Sequence, residues 1–215
     1  MVNSQTKKMP NNRDDEHLER TRYRAVWLAS AEVVNPNLFC TMFTLNNFTL
    51  RLANQSDIQE ITLYFIRNRE FHKEWSPAFT DEYYTEEFQT TAFTTYQQRH
   101  TEGTAYKFLL IHFTSVIGIV NLTNIERGIF RNGRLGYAID EQFKNQGLTT
   151  WSILSIKTFA KDILDLHRLE ANIIPRNEAS RRVVSKCGFI RVGLSPEYLY
   201  INNMWEDHEH WAVIL

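Results

Sequence analysis

Cysteine is nearly absent. Cys40 and Cys187 are the only two in 215 residues, far apart and without a partner at metal-ligand spacing. That argues against a disulfide framework or a thiolate metal cluster and for reduced thiols in the cytoplasm. An excess of charge of one sign is missing too: 24 basic and 25 acidic residues leave a formal charge of −1. Net charge therefore gives no reason to expect direct nucleic-acid or membrane binding. No apolar run approaches the ~18 residues of a spanning helix, and the polar first twenty residues hold no signal-peptide core. There is no G-x-G-x-x-G, no G-x-x-x-x-G-K-[ST] and no G-x-S-x-G elbow. Dinucleotide, nucleoside-triphosphate and esterase sites thereby lose their usual sequence support. His208 and His210 share one face of an expected strand, but no third ligand follows at a recognisable spacing, so no metal is expected.

What is present reads as one globular domain with an added arm: 43% apolar and 23% charged residues over a length suited to a single core. Residues 1–47 form an N-terminal extension. It has a polar, disordered start over 1–15, a helical pattern over 16–30 and turn signals at Asn35-Pro36 and Asn46-Asn47. The domain proper spans 48–215. Residues 48–52 alternate as a strand, and Ser56 or Asp57 caps a helix whose apolar face includes Ile58, Ile61 and Phe65. A further helix is expected over 81–98, where Tyr84, Phe88 and Phe93 recur; its aromatic residues line either a core or a substrate cleft. Strands follow over 105–112, 116–122 and 133–140, then a helix over 148–166 and a strand over 168–174 ended by Pro175. A last helix buries Val183, Val184 and Cys187 and closes at Gly188; a strand and a terminal hairpin turning at Asn202-Asn203 complete the chain. Strands first, then strand and helix in alternation, predict a mixed α/β fold with one sheet covered by helices.

Two constellations can carry chemistry. Lys144-Asn145-Gln146-Gly147 turns tightly into the helix that opens with Leu148 and Thr149, whose unpaired N–H groups suit an anion. The alternative is a glycine serving only the loop. Asn177 stands at the mouth of the last helix, where it can cap or touch a ligand, and Ser180 lies three residues on, facing a cleft or bonding the backbone.

These features resemble the GNAT superfamily of acyl-CoA-dependent N-acyltransferases, and within it the ribosomal-protein alanine/serine N-acetyltransferases. The resemblance rests on LGYAID from Leu135 to Asp140, QGL from Gln146 to Leu148 and HRLEA from His167 to Ala171. Pro175-x-Asn177-x-x-Ser180, Cys187-Gly188-Phe189 and the ending Tyr198-Leu-x-Ile-Asn-x-x-Trp205-x-Asp-His208 extend it. It implies a single splayed mixed sheet flanked by helices, with acetyl-CoA as co-substrate in the split and no metal. Ala138, Ile139 and Asp140 would align the pantetheine arm, residues 144–149 would hold the pyrophosphate, and Asn177 would bond the cofactor. Ser180 would protonate the departing thiolate. Lys144 keeps the charge often supplied by arginine, whereas Thr149 adds bulk at a usually small position. The base that some relatives supply as glutamate aligns with Leu199. Glu197 shares that face if the strand is regular, and Tyr198 and Tyr200 are the neighbouring polar groups.

The function so implied is acetyl transfer to an amine, first of all the N-terminal α-amine of a protein such as a ribosomal protein. Its rivals are transfer to a small amine and a catalytically weak acyl-CoA- or partner-binding module. The protein would be cytoplasmic, a monomer or a homodimer.

Overall fold

The chain enters its sheet through a hairpin. In the computed structural model, which describes residues 42–215, β1 (Met42–Leu45) and β2 (Phe48–Leu52) pair antiparallel about Asn46-Asn47. Asn46 takes φ 51, a left-handed value that asparagine tolerates because its short polar side chain bonds locally. β1 thus lies within residues 1–47, expected from the sequence to be an extension. The disordered stretch expected over 1–15, the helix over 16–30, the turn at Asn35-Pro36 and Cys40 lie outside the described residues.

After β2 the helical region starts earlier than expected. Asp57 holds the cap position of the α-helix but makes no side-chain cap bond there; Asn54 caps a 3-10 turn ahead of it, its side chain accepting from the Ser56 amide at 2.9 Å while the Asp57 carboxylate accepts from the Asn54 amide at 2.8 Å. Asp57 also receives a two-pronged bond from Arg51, both contacts 2.7 Å. Helix α1 (Ile58–Arg67) runs into the single turn α2 (Arg69–His72). The helix expected over 81–98 divides in two. A 3-10 turn, Asp81–Tyr84, is followed by Thr85, whose hydroxyl caps α3 (Glu86–Thr101) by accepting from the Phe88 amide at 3.2 Å. Then come β3 (Tyr106–His112), β4 (Ser115–Glu126), β5 (Asn132–Ile139), α4 (Leu148–Asp162), β6 (Arg168–Ile173) and α5 (Glu178–Lys186). The final pair, β7 (Ile190–Ile201) and β8 (Met204–Ile214), turns at Asn202-Asn203, both left-handed. α4 stops at Asp162 rather than 166 because Leu164 and Leu166 fold back onto the carbonyls of Phe159 and Ala160, and Asp165 turns left-handed.

The eight strands lie in the order β1-β2-β3-β4-β5-β6-β8-β7, antiparallel throughout except for β5 and β6. Two apolar layers cover the sheet. On one face α4 and α5 bury Ile153, Ile156, Phe159 and Val184 against Phe108, Leu122, Leu169 and Val213. On the other, Ile61 and Tyr64 of α1 and Phe93 and Tyr96 of α3 pack on Leu109, Ile111, Val116 and Ile119 of β3 and β4. Cys187 belongs to the first layer, and burial pushes its thiol up to about 12, which keeps it unreactive. Among the described residues no helix is long and apolar enough to cross a membrane.

One buried ionic junction fixes the end of β5. Asp140, 2% exposed, accepts from Arg67 Nε at 2.5 Å, from Asn68 Nδ2 at 3.1 Å and from the Gln142 amide at 3.0 Å. Asn68 Oδ1 accepts from the Glu141 amide, and Arg67 also donates to the Val116 carbonyl. A bulge at Ile117 frees that residue's carbonyl for the Asp140 amide at 2.7 Å. Burial raises the Asp140 carboxyl, but the Arg67, Gln142 and Asn68 bonds outweigh it and hold the group below the usual carboxylate range. A depressed folded-state value means that the stabilisation is present above about pH 4 and is lost as pH falls through the folded value. Arg67→Ala should therefore cost about 3 kcal/mol at neutral pH, the low end for a buried pair because Arg67 is one-third exposed. Urea unfolding checks this, and the gap between variant and parent should shrink on acidification through that window.

Candidate active site

The parallel ladder of β5 and β6 is short. It runs from Asn132 opposite Arg168 to Leu135 opposite Ala171 and then stops. Beyond it β5 continues to Ile139 beside β4 alone, and β6 continues to Ile173 beside β8 alone. The strands part there, and backbone groups of residues 136–139 that turn away from β4 face the gap unpaired. Ala138 and Ile139 are half-buried along this edge, while the Asp140 side chain points into its ionic junction and its backbone N–H and C=O are taken by Ile117 and Phe143. A small crevice at the edge is lined by Gly118, Tyr137, Ala138, Ile139, Thr149 and Ser152, among others.

The start of α4 opens beside this edge. Gly147 holds φ 77 and makes no side-chain cap; an added Cβ would meet nothing within 4 Å, so the glycine is needed for its backbone angle alone. The first bond of the helix runs from the Trp151 amide to the Gly147 carbonyl, which leaves the amides of Leu148, Thr149 and Thr150 without helical acceptors. Leu148 is buried, so it offers only its amide. Lys144 lies over the Phe71 ring and donates to Glu141 at 3.1 Å; both partners are half-exposed. Asn145 is left-handed and exposed, and Gln146 Nε2 donates to the Gln142 carbonyl at 3.3 Å.

Across the gap stands α5. Asn177 is its cap: Oδ1 accepts from the Ser180 amide at 3.0 Å, and among the described residues Nδ2 makes no hydrogen bond. Tyr137 on β5 reaches across and donates its hydroxyl to the Ser180 carbonyl at 3.2 Å; burial pushes its phenol well above the ordinary range, so it stays a donor. Ser180 is half-buried, and its side chain bonds the Tyr137 phenol.

The far wall is the β7–β8 hairpin. The Asn202 amide donates to the Ser76 carbonyl at 3.1 Å, and Arg176 bridges Glu206 at 2.5 Å and Glu74 at 3.4 Å while lying over the Trp75 ring. The hairpin tip is thus tied to the loop between α2 and α3. The aromatic residues of that region fall into two groups: Phe93 and Tyr96 are core, whereas Phe79 and Phe88 are exposed around a stacked Phe79–Tyr83 pair. β7 is not regular. Its register shifts between Ser195 and Leu199, and Glu197 is left-handed and exposed with its amide bonded to Asp207. The regularity that would set Glu197 on the face of Leu199 is therefore absent, and only Tyr198 meets other polar groups. Asn172 Nδ2 donates to its hydroxyl at 3.5 Å, and its ring packs edge-on to His210 at 5.0 Å. Tyr200 is exposed and packs on Trp205. Asn172 and the His210 contacts were not singled out by the sequence; the one signal was that His208 and His210 share a face.

A family profile described as an acetyltransferase (GNAT) domain matches residues 47–190. A probable N-acetyltransferase of Bacillus subtilis, YjcK, is 35% identical over 149 residues, covering 68% of this chain and 82% of its own length. The crystal structure of the ribosomal-protein-S5-alanine acetyltransferase from Vibrio fischeri superimposes with a TM-score of 0.79 at 31% identity, covering 81% of this chain and 96% of its own. Mycobacterium smegmatis RimJ, solved in complex with CoA-disulfide, shares the fold with a TM-score of 0.74 at 21% identity, covering 78% of this chain and 81% of its own.

The two uses of Asn177 separate by substitution. Asn177→Ser keeps a capping oxygen and loses the amide, so its melting temperature should stay near the parent's while acetyl-CoA affinity, read by calorimetry, falls about tenfold. Asn177→Ala should lose that affinity and also about 1 kcal/mol of stability. Unchanged affinity in both would leave Asn177 a cap only.

Proposed function

Because the chain belongs to the GNAT acetyltransferase family, we propose that it transfers the acetyl group of acetyl-CoA to the N-terminal α-amine of a protein. The family gives the acyl-CoA-dependent transferase activity. The observation that carries its location is the parting of β5 from β6 beside an uncapped helix N-terminus. The choice of acceptor rests on likeness to the S5-alanine enzyme over nearly that chain's full length.

On this reading, backbone groups of residues 136–139 hold the pantetheine arm by adding a strand-like partner to the free edge of β5. The amides of Leu148, Thr149 and Thr150 receive the pyrophosphate at the positive end of α4. Lys144 adds its charge by leaving Glu141, and Asn177 donates from Nδ2 while Oδ1 keeps its cap. Ser180 gives a proton to the departing sulfur. The neutral amine attacks the thioester carbonyl: one C–N bond forms, one C–S bond breaks, and nothing is oxidised. Positioning supplies most of what such a reaction needs, because the thioester is already activated. Thr149 is the residue that limits room at the phosphates.

A second reading, transfer to a small amine, draws on one observation: the tie between Asn202 and Ser76, with Arg176 between Glu74 and Glu206, closes one side of the acceptor face.

Calorimetric titration with acetyl-CoA, followed by a screen for CoA release with N-terminal peptides and with small amines, decides between these. Peptide-dependent release is expected; release with amines alone would transfer the assignment, and absence of binding would leave a weak module. Ser180→Ala should lower kcat by about 100-fold while leaving acetyl-CoA affinity near the parent's. Equal turnover would remove Ser180 as the acid.

A further inference from the structure

On the face away from α5, the C-terminal strands carry a connected polar chain. Asn172 on β6 lies opposite His210 on β8 in the antiparallel register, one residue past the last pairing of β6 with β5. Its neighbours Ala171 and Ile173 point into the core under α4 and α5, so Asn172 and His210 project from the other side. Glu209, next to His210, also points to the α5 side, where it meets Arg181, Arg191 and Trp211. Helices α1 and α3 pack on β3 and β4 rather than on this half of the face, where His208 is buried and His210 half-buried.

The bonds fix the chemistry of the ring. Asn172 Nδ2 donates to Tyr198, which turns Oδ1 to His210 Nδ1 at 2.9 Å. An amide oxygen only accepts, so Nδ1 carries the hydrogen. In the neutral ring Nε2 is then the acceptor, and it lies 2.8 Å from Ser195 Oγ. A hydroxyl, an imidazole and an orienting oxygen stand in line, the arrangement that lets a base draw a proton through a hydroxyl. The groups around the ring are Tyr198 and Ser195 from β7, Asn172 from β6 and His208 two residues back on β8. Glu206, farther along that face, is taken up by Arg176. Among the described residues no carboxylate or guanidinium is bonded to His210.

We infer that His210, oriented by Asn172 and reached through Ser195, takes the proton that leaves the attacking amine. The inference rests on the transferase reading above and supplies the base that Glu197 does not. As nitrogen bonds to the acetyl carbon, its proton passes to Ser195 Oγ, whose own proton moves to Nε2. The imidazolium keeps its Nδ1 hydrogen on Asn172 and later releases the proton to water.

The test uses the full chain with acetyl-CoA and whichever acceptor gives CoA release. His210→Gln should bind acetyl-CoA with the parent's affinity and melt near the parent's temperature, yet lose about 100-fold in kcat/KM. Its acid limb in the pH profile should vanish. His210→Ala should regain rate with added imidazole, which a merely structural role would not allow. Asn172→Asp places a carboxylate against Nδ1, favours the imidazolium and should move the acid limb to higher pH, by about one unit or more. A parent-like rate and pH profile in His210→Gln would overturn the relay, as would a loss of rate accompanied by neither imidazole rescue in His210→Ala nor a shifted acid limb in Asn172→Asp. A parent protein that binds acetyl-CoA and transfers to nothing would instead overturn the transferase reading.

Discussion

The buried carboxylate of Asp140 is the interaction on which the rest depends. A charge taken out of water is tolerated only when its lone pairs are met, and here a guanidinium, a side-chain amide and a backbone amide meet them. Those partners come from the end of α1, the residue after it and the turn that follows β5. One carboxylate therefore fixes three things together: where β5 ends, how α1 lies over β4, and how the chain leaves for the loop before α4. The loop that leads into α4 inherits its place from this junction. Asn68 extends it by holding both Asp140 and the Glu141 amide.

Around that anchor the sheet serves two different surfaces. On the side of α4 and α5 the strands are covered, and the buried Glu209 has Arg181 and Arg191 as counter-charges. On the opposite side α1 and α3 cover β3 and β4, and polar groups of β6, β7 and β8 bond one another beside the split. Tyr137 connects the two strands' territories, since its ring belongs to β5 and its hydroxyl ends on α5.

Much of this was legible in the chain. Gly147 and Asn177 announce themselves because a left-handed turn and a helix cap are local needs, and each residue type answers one of them. Local rivalry explains what was harder to read: Asn54, Ser56 and Asp57 are all good caps, and Thr85 was hidden inside an aromatic pattern that continues through it. The face of Glu197 could not be read because period two fails at a bulge, and no residue type marks that bulge. The pairing of Asn172 with His210 was out of reach for a different reason. β6 and β8 are separated by a helix and a strand, so their register is set by the whole sheet. The Asp140 motif marks the end of β5, but a motif does not say that the side chain turns into an ionic junction with Arg67.

The split has a consequence for how the molecule comes apart. β1 to β5 are an antiparallel run in which each strand pairs with the next strand of the chain, with α1 to α3 inserted between β2 and β3. β6, β8 and β7 join that run through one slanted parallel ladder of four residue pairs, after a helical crossover. The seam where β5 parts from β6 is a ladder as short as the β1–β2 hairpin, and parallel pairing is slightly less stable per residue. Opening there separates two cooperative units, each with its own strands intact, and makes the region beside the chemistry the first to exchange its amide hydrogens with water.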